Sequence, residues 1–273
     1  MSIFVDTHLH LGREEFAADR EAVIERARAA GVCAFLHVGY DRATIDAALN
    51  LADTIPSSWA SAGIHPHDAA SYDDEIEARL RSLAEAGRIV AIGECGLDFF
   101  RDLSPRAVQE TAFRRQIRLA AQVDLPMIFH VRDAYAEARE LLEEEGLPAR
   151  RGVFHAFAGD AEFAAWAVEA GFKLGIGGPL TYKKSKLPEA IAGLPASSFV
   201  LETDAPWLPP QPWRGKRNEP AYLRVVANRL AEMLELEVDG LADTVAATVS
   251  ELFGIELGEL NQLRASDFVT PER

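Results

Sequence analysis

Eight short apolar runs, each rich in β-branched or aromatic residues, recur along the chain with segments of helical spacing between them. No other feature restricts the fold as much, because strands alternating with helices pair in parallel through right-handed crossovers. The runs are IFVDTHLH (3–10), CAFLHVGY (33–40), WASAGIHP (59–66), IVAIGECGLD (89–98), PMIFHVRD (126–133), GVFHAF (152–157), FKLGIGG (172–178) and FVLETDAP (199–206). REAVIERARAAG and FRRQIRLAAQVD typify the helical segments between them. Gly31, Gly146 and Gly171 stand where a glycine follows a helix, and Ser104-Pro105 reads as an N-cap and a first helical residue. Eight such units within 273 residues favour an α/β fold, a single (β/α)8 barrel of the TIM type, over an open doubly wound sheet. The Pro-rich APWLPPQPWRG (205–215) reads as an elaborated loop after the eighth strand, and from about Pro220 two further helices close the barrel. No stretch of linker composition divides the chain, so residues 1–273 are expected to form one domain.

Histidine placement carries the first functional signal. There are seven, His8, His10, His37, His65, His67, His130 and His155, and each falls at or near the C-terminal end of an expected strand. That is the face on which barrels of this kind carry their active sites. Side chains alternate along a strand, so His8 and His10 share a face while Thr7 and Leu9 take the other. The same rule turns Glu94 inward and Cys95 outward, pairs His130 with Arg132, and pairs Glu202 with Asp204. Four imidazoles (His8, His10, His130, His155) with Glu94 and Asp204 form a mixed nitrogen and oxygen donor set suited to divalent metals from zinc to manganese and magnesium. His37 is read as a satisfied polar group, and His67 in HPHD as loop decoration rather than a substrate contact. Glu202 either orients a ligand from the layer below or is a buried hydrogen-bonded carboxylate.

The net charge is −15, from 43 acidic and 28 basic residues, which excludes a protein built to coat nucleic acid. It does not exclude an enzyme that visits DNA ends transiently, since charges beyond about 10 Å are screened at physiological salt. YKKSK (182–186) and RGKR (214–217) supply local cations in the loops after the seventh and eighth strands. No stretch approaches the apolar length of a membrane span. Met1 runs directly into SIFVDTHLH without a basic region or cleavage site, so a cytoplasmic protein is expected. Cys33 and Cys95 are far apart and read as free, buried thiols. A monomer with no obligate protein partner is the default.

The segments FVDTHLHL, AGIHPHD, GECGLDFF, PMIFHVRDA, GVFHAFAGD, FKLGIGGPLTYKKSK, LETDAPWLPP and GKRNEPAYL resemble the amidohydrolase superfamily, and more closely the TatD family of metal-dependent deoxyribonucleases. They span residues 4 to about 223, and LFG at 252–254 extends the likeness. The resemblance implies two divalent ions per chain, Mg2+, Mn2+ or Zn2+. His8, His10 and Asp204 match the ligands of one metal, His130 and His155 those of the second, and Glu94 the carboxylate that bridges them. His65 matches a contact to the substrate phosphate, and Arg132, Lys183, Lys184, Lys186 and Arg217 are expected to bind further phosphates. Asp204, facing the attacking water, and His65 are the expected catalytic side chains. Ala158 and Thr248 depart from the family's usual serine and asparagine, outside the ligand set. The implied activity is that of a phosphodiesterase trimming the 3′ ends of single-stranded DNA with a hydroxide activated by two metals. The same ligands would serve hydrolysis of an amide, lactone or aminoacyl ester, which is the alternative. A donor set that leaves coordination open argues against a purely structural metal.

Overall fold

The computed structural model describes residues 3–257. Among them, eight parallel strands follow one another in sequence order around one sheet. They are β1 (Phe4–Leu9), β2 (Val32–Gly39), β3 (Ser58–Ala62), β4 (Ile92–Asp98), β5 (Met127–Arg132), β6 (Gly152–Phe154), β7 (Lys173–Ile176) and β8 (Phe199–Leu201). The sheet closes on itself: Leu9 bridges Ala205, the Asp204 amide donates to the His8 carbonyl at 2.8 Å, and the His10 amide donates to the Ala205 carbonyl at 2.9 Å. The expected (β/α)8 barrel is therefore observed. Strands β6, β7 and β8 are shorter than their apolar runs, because the chain leaves the sheet early to place residues at the mouth.

Helices α1 (Arg20–Ala29), α2 (Arg42–Thr54), α3 (Asp74–Glu85), α4 (Arg106–Val123), α5 (Tyr135–Glu145), α6 (Ala161–Glu169), α7 (Leu187–Ala190), α8 (Leu223–Met233) and α9 (Val238–Phe253) surround it. Their starts follow side-chain chemistry. Asp41 caps α2 in a reciprocal pair with Thr44, Asp73 caps α3 and Asp160 caps α6. Helix α4 corrects one expectation. Pro105 is its N-cap and Arg106 its first residue, while the Ser104 hydroxyl donates instead to the His67 carbonyl at 2.7 Å. Gly146 is itself the cap residue of α5, at φ +84°. Helices α8 and α9 are the two expected after Pro220.

Between the strands and the helix ring lies a continuous apolar core. Its densest part is aromatic: Phe129 stacks on Phe154 at 4.8 Å, and both meet Phe172 edge-on. Phe129 and Phe154 immediately precede His130 and His155 in sequence, so alternation sends these rings to the core and the imidazoles to the mouth. Cys95 is buried as expected and Cys33 only half-buried. None of the described helices is long and apolar enough to cross a membrane.

Candidate metal centre

Six side chains from five strand ends converge at the mouth of the barrel. The Nε2 atoms of His8 and His10 lie 3.2 Å apart, and Asp204 Oδ1 is 3.4 Å from the latter. Glu94 stands between two groups, with Oε2 3.3 Å from His8 Nε2 and Oε1 2.8 Å from His130 Nδ1 and 3.0 Å from His155 Nε2. All except His130, which is half-buried, are buried, and the Asp204 side chain is 12% exposed. His8, His10 and Asp204 form one group whose donor atoms lie close enough to share an ion, and His65, Glu94 and His130 form another.

Acceptors behind the rings decide which nitrogen faces the centre. The Val38 carbonyl, 3.1 Å from His10 Nδ1, can only accept, so the proton sits there and the Nε2 lone pair is aimed at the cluster. Glu202 Oε1 stands 3.5 Å from Nδ1 of His155, close enough for charge attraction but without a hydrogen bond. His130 lies between two carboxylates, with Asp98 Oδ2 3.3 Å from Nε2 on the outer side and Glu94 Oε1 2.8 Å from Nδ1 on the inner side. Carboxylate or carbonyl backing of this sort orients metal-binding imidazoles. His8 has no partner for Nδ1 among the described residues and is held by stacking on His155, with ring centres 3.8 Å apart. Burial opposes ionisation of Glu94, but His155, His8 and the His130 hydrogen bond outweigh it and hold its carboxyl well below the usual range. Burial would likewise depress His155, yet Glu94 and Glu202 keep it well above the ordinary imidazole value.

His65 is placed at the edge of the cluster, its Nε2 3.6 Å from Glu94 Oε1. Its Nδ1 accepts the backbone N–H of His67 at 3.1 Å, which leaves the ring proton on Nε2, facing the mouth. Burial, then the neighbouring His130, pushes its pKa well below the usual value, so the ring is a neutral donor.

Two residues read as uninvolved or passed over belong here. His67 is not loop decoration: its Nε2 lies 2.8 Å from Asp98 Oδ2, the same oxygen that backs His130. Asp98 also accepts the Phe100 and Arg101 amides through Oδ1. It lies two and four residues beyond Gly96 and Glu94 on β4, so the alternation that selected Glu94 would have selected it too. Gly96 is required between them, since a Cβ there would collide with the His130 carbonyl oxygen. Asp6 is a further buried carboxyl, tied to the Thr203 amide at 3.0 Å and hydroxyl at 2.5 Å and pushed up to about 8 by burial.

Buried amides fix the loops. Gln116 of α4 holds Ile64 through its backbone N–H and carbonyl, and Gln109 does the same for Asp98. Asn218 donates to the Thr203 and Trp207 carbonyls, both at 2.7 Å, clamping the turn in which Asp204 adopts φ +56°. No periodicity marks these three residues. Of the expected phosphate contacts, Arg132 is exposed with its guanidinium 3.9 Å over the Phe100 ring, and Lys183, Lys184 and Lys186 are exposed without ion-pair partners among the described residues. Arg217 is engaged elsewhere, by Asp19 at 2.7 Å and the Glu15 carbonyl at 2.6 Å. His37 stays apart, its Nε2 3.2 Å from Ser58 Oγ.

The family described as TatD related DNase matches residues 5–254. An uncharacterized metal-dependent hydrolase, YabD of Bacillus subtilis, is 41% identical over 251 residues, covering 92% of this chain and 98% of its own. The 3′-5′ ssDNA/RNA exonuclease TatD of Cronobacter sakazakii is 38% identical over 256 residues, covering 91% and 97%. Among solved structures, the TatD homologue YjjV of Escherichia coli K12 superposes with a TM-score of 0.87 at 32% identity, over 93% of this chain and 98% of that one.

Proposed function

The chain belongs to the TatD-related DNase family of hydrolases, and from that premise we propose that it is a metal-dependent phosphodiesterase removing nucleotides from the 3′ ends of single-stranded DNA or RNA. The observation that carries this reading is the convergence of bare imidazole and carboxylate donors around Glu94. His10 and His130 each have one nitrogen against an acceptor outside the cluster, and the inner nitrogens of His8, His130 and His155 all converge on the oxygens of Glu94, which gathers the donor atoms a cation requires. His8, His10 and Asp204 would hold one divalent ion and His130 and His155 a second, with the two oxygens of Glu94 shared between them. Bound there, Mg2+, Mn2+ or Zn2+ supplies acidity to water and neutralises charge on phosphoryl oxygens.

The chain's own groups do the rest. Asp204, the ligand carboxylate nearest the opening, orients the attacking water and receives its proton. The Nε2–H of neutral His65 donates to a non-bridging phosphate oxygen and stabilises the charge that develops there. Asp98 keeps His130 and His67 in fixed tautomers. Arg132, Lys183 and Lys184 contact flanking phosphates, whereas Arg217 is assigned to holding the loop after β8 against Asp19.

The test is cleavage of 5′- and 3′-labelled single-stranded DNA and RNA with each of the three metals, beside a panel of lactone and amide substrates. Stepwise loss from the 3′ end, reduced about 10²–10⁴-fold by Asp204→Asn, is expected. No cleavage by the parent with any metal would sink the reading.

A further inference from the structure

Large apolar side chains on the surface of this protein are unevenly distributed. Among the described residues four stand out, Phe100 at 57% exposure, Leu103 at 65%, Trp207 at 40% and Leu236 at 43%. Three of them lie in loops at the mouth of the barrel, Phe100 and Leu103 after β4 and Trp207 after β8. Exposed apolar rings gathered around a polar centre mark a binding surface.

The two rings have matching surroundings. The Trp207 ring lies 5.0 Å from the ring of His10, with the Arg13 guanidinium 4.8 Å over its face. Arg13 is itself fixed by Glu15 and by a 2.6 Å hydrogen bond to the Tyr40 hydroxyl. Phe100 carries the Arg132 guanidinium at 3.9 Å. Both rings are also tethered to carboxylate-bearing residues of the centre: the Trp207 amide donates to the Asp204 carbonyl at 2.8 Å, and the Phe100 amide to Asp98 Oδ1 at 3.0 Å. Strands β4 and β8 are four apart in a closed ring of eight, so the two rings stand on opposite sides of the mouth.

We propose that Trp207 and Phe100 are stacking platforms for unpaired bases of one nucleic-acid strand laid across the mouth, an inference that rests on the phosphodiesterase reading for the identity of the strand. Every base has a π-face, so such platforms hold a strand without regard to sequence, and a cation behind the ring strengthens the stack. Stacking also answers a problem set by the charge of −15. A chain so acidic gains little from its long-range field when it binds a polyanion, and contacts to bases bypass the phosphates. A paired duplex, whose bases are stacked on each other, offers these rings nothing. Selection for single strands follows from the same two side chains.

The test is equilibrium binding, read as anisotropy of a 5′-labelled 12-nucleotide strand in EDTA so that nothing is cut. The parent is expected to bind oligothymidine about tenfold or more tightly than an abasic strand of equal length, the effect of one lost base–aromatic stack or more. Phe100→Ala and Trp207→Ala should each shrink that ratio, and Phe100→Tyr and Trp207→Phe should restore most of it. The ratio is internal to each variant, so a general loss of folded protein does not imitate the result. Equal affinity of the parent for the two strands overturns the proposal. So does an unchanged ratio in Phe100→Ala accompanied by a shift from dimer to monomer in light scattering, which assigns the patch to a second copy of the chain. Strands bound through their bases but never cut count against the phosphodiesterase reading alone. Strands cut but bound equally with or without bases count against the platforms alone.

Discussion

Asp98 Oδ2 lies 3.3 Å behind Nε2 of His130, on the side of the ring away from Glu94. The carboxylate is fully engaged, with one oxygen on His130 and His67 and the other on the amides of Phe100 and Arg101. An asparagine cannot accept on both sides, because one of its two terminal atoms is a donor. Asp98→Asn is therefore expected to lower metal affinity about 10–100-fold, the usual effect of losing a carboxylate behind an imidazole ligand. Isothermal titration with Mn2+ measures it, and an unchanged affinity would remove Asp98 from the centre.

Chelation should affect stability as well as turnover. Nitrogens of His8, His65, His130 and His155 crowd within 2.8–3.6 Å of the Glu94 oxygens, and a bound cation gains these donors together only in the folded state. At a free metal concentration 100 times Kd the native state gains about 2.7 kcal/mol. For a chain of this size that amounts to roughly 5–10 °C in Tm. Scanning calorimetry with EDTA and then with excess Mn2+ should show the fall and its recovery. An identical Tm in both conditions would argue that no ion binds this cluster.

Much of this was legible in the sequence because two short-range rules suffice for it. Alternation along strands and helical spacing between them located all eight strands and turned His8, His10, Glu94, His130, His155 and Asp204 toward one mouth. The same rules could have found Asp98, which shares the parity of Glu94. They could not have found Gln109, Gln116 or Asn218, because these amides act on backbone brought near only by the closed barrel. Nor could they foresee that Arg217 would meet Asp19, 198 positions away in sequence. Periodicity fixes which face a side chain takes, whereas the return contacts of loops depend on tertiary approach.

Gly96 and Gly87 make a matched pair for testing how closely β4 must approach β5. Both have positive φ, +146° and +65°, so alanine strains the backbone at either. At Gly87 nothing lies within 4 Å of the added Cβ, and Gly87→Ala should cost about 1 kcal/mol from the left-handed backbone alone. At Gly96 the Cβ runs into the His130 carbonyl, so Gly96→Ala should cost about 2–4 kcal/mol from strain and overpacking together. It should also weaken metal binding by displacing His130. Urea unfolding of the two variants gives the comparison, and equal costs would mean that β5 yields freely.

His37, which lies outside the donor cluster, gives the fold a pH dependence of its own. It is 1% exposed on β2, in a space closed by Ala47, Ala48 and Leu51 of α2. Burial, with smaller effects from His10 and Arg20, pushes its pKa down to about 3 from the ordinary 6.5. Between those values the folded state holds fewer protons than the unfolded chain, so stability falls as the pH is lowered through the window. Above 6.5 the imidazole is neutral in both states and contributes no slope. One such group changes the unfolding free energy by at most about 1.4 kcal/mol per pH unit. His37→Gln keeps a polar group near Ser58 and does not titrate. Its urea-unfolding free energy should therefore lose up to that slope between pH 4 and 6, while differing from the parent by a constant above pH 7. Parallel profiles through the window would mean that His37 accepts its proton within the folded barrel at no cost, and that the packing of α2 over β2 admits solvent.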